Sequence, residues 1–172
     1  MGLPIRGVIT VVRPATDDDV DRLVEWHADP ETSKYWDDET FTREQMLERL
    51  RRKTVDPWIV EADGEPVGYL QSWWEEEAPR RGGLDGFLIP EARGRGLMPD
   101  AARALAQSLL DAGWQYVTVD PYAWNERALR GWRNAGFVEV SRHEPDAEHH
   151  HAWVLMRFEA LEPGSHPEPG SD

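Results

Sequence analysis

A strand, a glycine-rich elbow and a long apolar helix follow one another between residues 82 and 110, and this succession constrains the fold most. The predicted strand is GGLDGFLIP, the elbow is ARGRG, and the helix carries apolar residues at spacings of three and four. Backbone N–H groups of such an elbow converge with the positive end of the helix dipole, an arrangement that favours a bound phosphate or pyrophosphate. The elbow has neither the Gly-Lys-Ser/Thr of a Walker A loop nor the glycine spacing of a dinucleotide fingerprint. The segment therefore predicts an anion-binding turn at the carboxyl end of a strand.

The remaining segments predict one α/β (α+β) domain over residues 1–160 with a mixed central sheet. Thr16 is a predicted N-cap, Thr42 with Gln45 a predicted capping box, and the Asp63-Gly64 pair a predicted hairpin turn. Residues 161–172 end in PGSHPEPGSD, and we expect this tail to be disordered. Further strands are predicted over residues 7–14, 57–62, 65–74, 115–121, 137–143 and 152–159, and helices over residues 16–29, 42–52 and 125–136.

Composition narrows the classes of partner. The 172 residues suffice for a single domain, and a formal net charge of −14 argues against nucleic acid and favours cationic partners. Many of the nine tryptophans stand beside carboxylates, as in KYWDDE and WWEEE, a combination that suits ammonium groups on an apolar frame. There are no cysteines, no membrane-length apolar stretch and no recognisable secretion signal, so we expect a cytoplasmic protein without membrane contact.

Two motifs resemble the signatures of the Gcn5-related N-acetyltransferase (GNAT) superfamily. RGRGLM is similar to its phosphate-loop pattern Gln/Arg-x-x-Gly-x-Gly/Ala, and DPYAWNERALRGWRNAGF is similar to its second signature. The resemblance implies a mostly antiparallel sheet flanked by helices, acetyl-CoA as the acetyl donor and no metal. It places the pyrophosphate on Arg93, Gly94, Arg95, Gly96, Leu97 and Met98, and the pantetheine arm near Phe87, Leu88, Ile89 and Asn125.

The chain departs from the superfamily pattern at three positions. Met98 stands where the loop usually has Gly or Ala, and Pro99 supplies no N–H to the anion. Trp132 replaces the tyrosine that often protonates the leaving thiolate, and an indole cannot deliver a proton at neutral pH. Tyr122, a water molecule or unassisted departure of the thiolate must then replace this general acid.

Within the superfamily, the aromatic and acidic stretches resemble those of aminoglycoside 6'-N-acetyltransferases. Acetyl transfer needs a neutral amine, and Asp85 on the predicted donor strand is the candidate base. The predicted substrate ligands are Trp36, Asp37, Trp74, Glu75, Glu76 and Asp120. We expect direct transfer in a ternary complex, because no activated cysteine or serine nucleophile is present.

Two other functions remain open from the sequence. Siderophore-pathway acyltransferases that act on lysine or N-hydroxylysine share much of this layout. A non-catalytic binder of cationic drugs on the same scaffold would retain the acidic and aromatic residues without needing a general acid. The chain is expected to be a monomer or a homodimer, and the sequence does not distinguish between them.

The run HHH at residues 149–151 also invites a metal-site interpretation. Consecutive residues of a strand point to alternate faces, and no carboxylate stands at ligand spacing. We therefore predict a flexible turn here and no metal.

Overall fold

The computed structural model describes residues 2–160, so the predicted tail at 161–172 lies outside the described residues. Its centre is a single eight-stranded sheet in the order β1-β2-β3-β4-β5-β6-β8-β7. Every neighbouring pair is antiparallel except β5 and β6, which are parallel. The strands are β1 (Ile5–Arg6), β2 (Val11–Pro14), β3 (Val55–Ala62), β4 (Glu65–Trp74), β5 (Gly82–Leu88), β6 (Val117–Val119), β7 (Phe137–His143) and β8 (Trp153–Phe158).

Five α-helices flank the sheet and divide the core into two parts. They are α1 (Val20–Ala28), α2 (Pro30–Ser33), α3 (Arg43–Leu50), α4 (Leu97–Asp111) and α5 (Glu126–Ala135). Apolar residues of α4 and α5 cover one face of the sheet, and those of α1 and α3 pack with Ile59, Tyr69 and Phe87 on the other. This single-domain, mostly antiparallel α/β sandwich confirms the predicted fold class. No helix within residues 2–160 has the length and apolar character required to cross a bilayer.

Several local predictions are confirmed in detail. Thr16 caps the first helical turn, and Thr42 and Gln45 form the expected capping box at the start of α3. Asp63 and Gly64 both have positive φ values, 52° and 79°, as a tight hairpin turn between β3 and β4 requires.

Only Val11–Pro14 of the predicted strand over residues 7–14 is a strand, because residues 7–10 form a turn that joins β2 to β1. The backbone N–H groups of Val8, Ile9 and Thr10 donate to the carboxylate of Asp100, which also accepts a 2.7 Å bond from the Thr10 hydroxyl. Asp100 lies in the first turn of α4, and its side chain therefore ties this turn to the helix. The sequence around residues 7–10 does not indicate this turn, because Asp100 is about 90 residues away along the chain.

Candidate active site

The parallel strands β5 and β6 separate after only two paired positions. Gly82 pairs with Val117 and Gly83 with Thr118, and no later β5 residue pairs with β6. Continuing this register by two residues places Asp85 opposite Asp120, with both side chains on the same face of the sheet. Two carboxylates therefore stand on either side of the gap at the point where the strands diverge.

The gap is part of a cleft of about 320 Å³ lined by residues from six separate segments. Five carboxylates contribute to its wall, compared with the two basic side chains Arg49 and His149. The acidic residues are Asp37, Glu39, Asp85, Asp120 and Glu148. Of the predicted site residues, the structure thus brings together Trp36, Asp37, Asp85, Asp120 and Asn125.

Asp85 is held by a chain of hydrogen bonds along the sheet. Gln71, its cross-strand partner on β4, donates from Nε2 to Asp85 Oδ2 at 3.2 Å. The Gln71 carbonyl oxygen accepts from Arg52 and from the Tyr69 hydroxyl, each at 2.9 Å, and these two donors fix the orientation of the amide. Burial, reinforced by the negative charge of Asp120, raises the pKa of Asp85 to about 7.

Asp120 has a partner that the sequence analysis did not assign to the site. His149 Nε2 lies 2.7 Å from Asp120 Oδ2, and its Nδ1 lies 2.9 Å from Asp146 Oδ1. The only local sign of this arrangement is Asp146, placed three residues before His149. Within residues 2–160, His, Cys, Asp and Glu side chains form no group of three suited to holding a metal ion.

The elbow between β5 and α4 has the geometry of an anion-binding turn. Gly94 and Gly96 adopt φ values of 78° and 72°, a left-handed conformation that L-residues with side chains rarely adopt. From Gly94 to Met98, no backbone N–H donates a hydrogen bond to any residue in the described range. A Cβ added at either glycine would meet no atom within 4 Å, so the turn is open to a ligand.

The two elbow arginines interact elsewhere. Arg93 donates to the Glu31 carbonyl oxygen at 2.8 Å and lies over the Tyr35 ring, while Arg95 lies 3.5 Å from Asp63. Backbone N–H groups, and not these guanidinium groups, therefore dominate the open face of the turn.

The backbone of β5 also faces the gap. Ile89 N–H donates to the Val67 carbonyl oxygen of β4. Because successive residues of an antiparallel strand direct their backbone N–H and C=O groups to alternate sides, those of Leu88 and Gly86 point away from β4. These groups have no backbone partner within residues 2–160, so they are strand-edge donors and acceptors to which an extended amide-containing chain can bind. The Phe87 side chain lies on the same face of the sheet as Asp85, two residues away, and packs among the aromatic rings beside Tyr69.

Aromatic side chains connect two loops that border the cleft, one containing Tyr35 and the other containing Tyr122 and Trp124. Trp124 stacks between Tyr35 and Tyr122, with ring centroids 6.2 Å apart on both sides. The Tyr122 hydroxyl donates to Asp37 Oδ1 at 2.8 Å, and burial together with this bond raises the pKa of Tyr122. This contact holds the proton that Tyr122 would need to release as a general acid.

The other predicted residues occupy different places. Asn125 caps α5 by accepting from Ala128 N–H, and Trp132 lines the cleft beside it. Trp74 lies at the far end of β4 and packs against Trp114. Glu75 forms an ion pair with Arg81, and neither it nor Glu76 reaches the cleft.

Arg49 is a second residue that the sequence analysis did not assign to the site. Its guanidinium lies 4.3 Å from the centroid of the Phe41 ring and lines the cleft. It makes no ion pair or side-chain hydrogen bond with any of residues 2–160. The position of Arg49 in the last turn of α3 did not indicate that it lines the cleft, because basic residues are common on the solvated face near a helix C-terminus.

Comparisons with known proteins agree with this geometry. Residues 15–145 match the acetyltransferase (GNAT) domain. The aminoglycoside N(6')-acetyltransferase type 1 of Klebsiella pneumoniae is 33% identical over 145 residues, and the match covers 73% of this chain and 72% of the relative.

Solved structures of AAC(6')-Ib share the fold. One, in a complex that contains acetyl-CoA, superposes with a TM-score of 0.74 at 28% identity and covers 87% of this chain and 93% of its own. Another, an aminoglycoside acetyltransferase with coenzyme A and kanamycin, has a TM-score of 0.72 at 29% identity and covers 86% and 93%. The domain match and the identity to a named relative, over most of both chains, show that this chain belongs to the GNAT acetyltransferase family.

Proposed function

We propose that the protein transfers an acetyl group from acetyl-CoA to the 6'-amino group of an aminoglycoside, directly and in a ternary complex. The observation that carries this proposal is the cleft itself, in which Asp85 and Asp120 face each other across the gap and carboxylates outnumber basic groups. A polyamine with rigid sugar rings suits both these carboxylates and the bordering aromatic side chains. The likeness to an aminoglycoside N(6')-acetyltransferase supports the same acceptor.

The donor is assigned to the elbow and the gap. The free N–H groups from Gly94 to Met98 suit a pyrophosphate, since they converge at the N-terminus of α4. The unpaired edge of β5 suits the amides of a pantetheine arm, in the manner of an added strand. A donor bound in this way brings its thioester to the gap beside Asp85.

Asp85 is the base of the proposed reaction. The acceptor arrives as an ammonium ion, which cannot attack a thioester until it loses a proton. A carboxylate with a pKa near 7 takes up that proton at neutral pH far more readily than one with an ordinary pKa near 4. The neutral nitrogen then bonds to the acetyl carbon as the C–S bond breaks, and the acylated nitrogen loses its surplus proton to solvent. Coenzyme A leaves as the thiol after its sulfur takes a proton from solvent, and Asp85 returns its own proton to solvent.

The test is acetyl-CoA-dependent thiol release against a panel of amines. The panel holds aminoglycosides with and without a 6'-amino group, together with lysine and N-hydroxylysine. Release with 6'-amino compounds alone is the expected result and reports both the reaction and its position. If aminoglycosides bind but release no thiol, a non-catalytic binder replaces this proposal.

Arg49 favours a second candidate, an acceptor that carries an acidic group as well as an amine. An unpaired guanidinium in the cleft repels a polycation but can form two parallel hydrogen bonds with a carboxylate. Lysine-type acceptors have this chemistry, and thiol release with them alone would establish the second candidate.

Arg49→Gln distinguishes the two acceptors. Removing the positive charge should lower KM for an aminoglycoside, because repulsion is relieved. It should raise KM for a lysine-type acceptor at least about tenfold, the loss expected for a charge-assisted hydrogen bond. Arg51→Gln, on the same helix end but paired with Asp17 outside the cleft, is the matched control.

A further inference from the structure

His149 is placed as a cation between two carboxylates at the mouth of the cleft. Both ring nitrogens lie within hydrogen-bond distance of a carboxylate oxygen, at 2.7 Å from Asp120 and 2.9 Å from Asp146. A neutral imidazole has one N–H and one acceptor nitrogen, so it can donate to only one of these carboxylates. Two donated bonds require the doubly protonated ring, and the geometry is therefore that of an imidazolium.

The ring is held in this position by its surroundings. It stacks on Trp153 with centroids 4.1 Å apart and planes inclined by 13°, and only 12% of the His149 side chain is exposed. Trp153 Nε1 in turn donates to Asp146 Oδ2 at 3.1 Å. The backbone N–H groups of Glu148 and His149 also donate to Asp146, so one carboxylate organises the whole turn.

Carboxylates outnumber the other titratable groups around the ring. Burial opposes its protonation, but the bonds to Asp120 and Asp146 outweigh burial and raise the pKa of His149. The titratable groups that face it are Asp120 after β6, Asp85 on β5, Tyr122 after Asp120, Asp146 and Glu148 in its own turn, and His143 on β7 across the Trp153 ring.

An acceptor ammonium would need the same carboxylate. Asp120 is one of the two carboxylates across the gap, and its Oδ2 lies 2.7 Å from His149 Nε2, while both residues line the cleft. We propose that His149 is an internal competitor of the acceptor: its imidazolium fills the ammonium subsite at Asp120 in the free protein, and a bound ammonium group takes its place. This inference rests on the cationic acceptor of the proposed function and adds that a residue of the chain itself regulates acceptor binding at that site.

A pH dependence follows from this competition. Below the pKa of His149 the subsite is occupied, and above it the neutral ring no longer competes as a cation. One pH unit below the ordinary histidine pKa of about 6.5, the protonated ring outnumbers the neutral ring at least about tenfold. Competition at pH 5.5 should therefore weaken acceptor binding by about tenfold or more relative to a protein without the cation.

Two substitutions with opposite expectations test the proposal. His149→Phe keeps a ring to stack on Trp153 and carries no charge at any pH, whereas His149→Lys carries a charge throughout. His150→Gln is the control, because its side chain is exposed and makes no hydrogen bond within residues 2–160. Calorimetry at pH 5.5 and pH 8.5 measures the binding of kanamycin and, separately, of a short aliphatic diamine to the full chain of each variant.

The expected result is that His149→Phe binds both probes at least about tenfold more tightly than wild type at pH 5.5, and that this advantage is smaller at pH 8.5. His149→Lys should bind more weakly than wild type at pH 8.5, and His150→Gln should follow wild type throughout. Comparison at one pH cancels the titration of the probe amines. Equal or weaker binding by His149→Phe at pH 5.5 would overturn the proposal.

The diamine separates this proposal from the proposed function. Failure of every aminoglycoside to release thiol would reject the acceptor, but diamine binding would still report whether His149 competes at Asp120. An imidazole ¹H–¹⁵N spectrum at pH 6 gives a second measurement, in which the His149 Nε2 signal should shift when the diamine binds, because its hydrogen bond to Asp120 is lost. An Nε2 signal that does not change with the diamine bound would contradict displacement.

Discussion

Replacing Asp85 by Asn is the most direct test of the proposed base. Asn has the same shape and can still accept the 3.2 Å hydrogen bond from Gln71, so the change removes basicity with little effect on packing. Loss of a positioned general base lowers kcat by about 10²-fold or more. Acetyl-CoA affinity should be unchanged, because the elbow N–H groups do not contact Asp85.

The pKa of Asp85 adds a quantitative signature. With a pKa of about 7, the wild-type rate should fall with an acid limb centred near pH 7. At pH 5, two units lower, only about one molecule in a hundred retains the ionised base. The wild-type rate should thus approach that of Asp85→Asn at pH 5, while the two differ most above pH 8.

Thiol-release kinetics from pH 5 to pH 9 provide the assay, with Asp38→Asn as the control. Asp38 is exposed beside the cleft but does not line it, so this variant loses one negative charge without losing the base. Turnover by Asp85→Asn within about threefold of wild type at pH 8.5, or a wild-type profile that is flat between pH 8 and pH 6, would refute the role of Asp85.

Three further predictions concern the frame around the site. Burial lowers the pKa of His27 to about 4, so the folded protein resists protonation and should lose about 3 kcal/mol of stability as the pH falls from 6.5 to 4. His27→Phe should remove this acid sensitivity in urea unfolding at pH 7 and pH 4.5, and an unchanged difference between the two pH values would contradict the assignment. Gly96→Ala should weaken acetyl-CoA binding measured by calorimetry, because φ at this position is 72° and alanine rarely adopts such a value. Gly113→Ala, with φ of 100° after α4, is the control and should destabilise the fold without changing the affinity for acetyl-CoA. Equal affinities for both variants would remove the elbow from the donor site. Asp100→Ala leaves four donors without their acceptor and should lower the free energy of unfolding by about 3 kcal/mol, with a loss below about 1 kcal/mol counting against the role of this carboxylate.

The fold was largely predictable from the sequence because its signals are local. The Asp63-Gly64 turn, the Thr42 capping box and the glycines of the elbow each act within a few residues, and the structure shows each in the expected conformation. The main structural error, one predicted strand over residues 7–14, arose where a distant carboxylate, Asp100, holds the backbone in a turn.

The candidate site was predictable only in part. Asp85 and Asp120 could be selected from their strand positions, and both line the cleft. WWEEE was selected for its composition, yet Trp74 packs on Trp114 and Glu75 pairs with Arg81 away from the cleft. Composition indicates that acidic and aromatic side chains are present, but the direction in which β4 ends decides whether they reach the cleft.

The order of the elements, the glycine-rich elbow and the acidic, aromatic character of the protein follow from the sequence, since periodicity, capping and charge are properties of short segments. The separation of β5 and β6 before Asp85 and Asp120, the position of Arg49 in the cleft and the contact of His149 with Asp120, 29 residues away, follow from tertiary packing. These relations depend on strand register and on contacts between distant segments. Because such contacts form only when the sheet and its helices pack together, no local pattern records them.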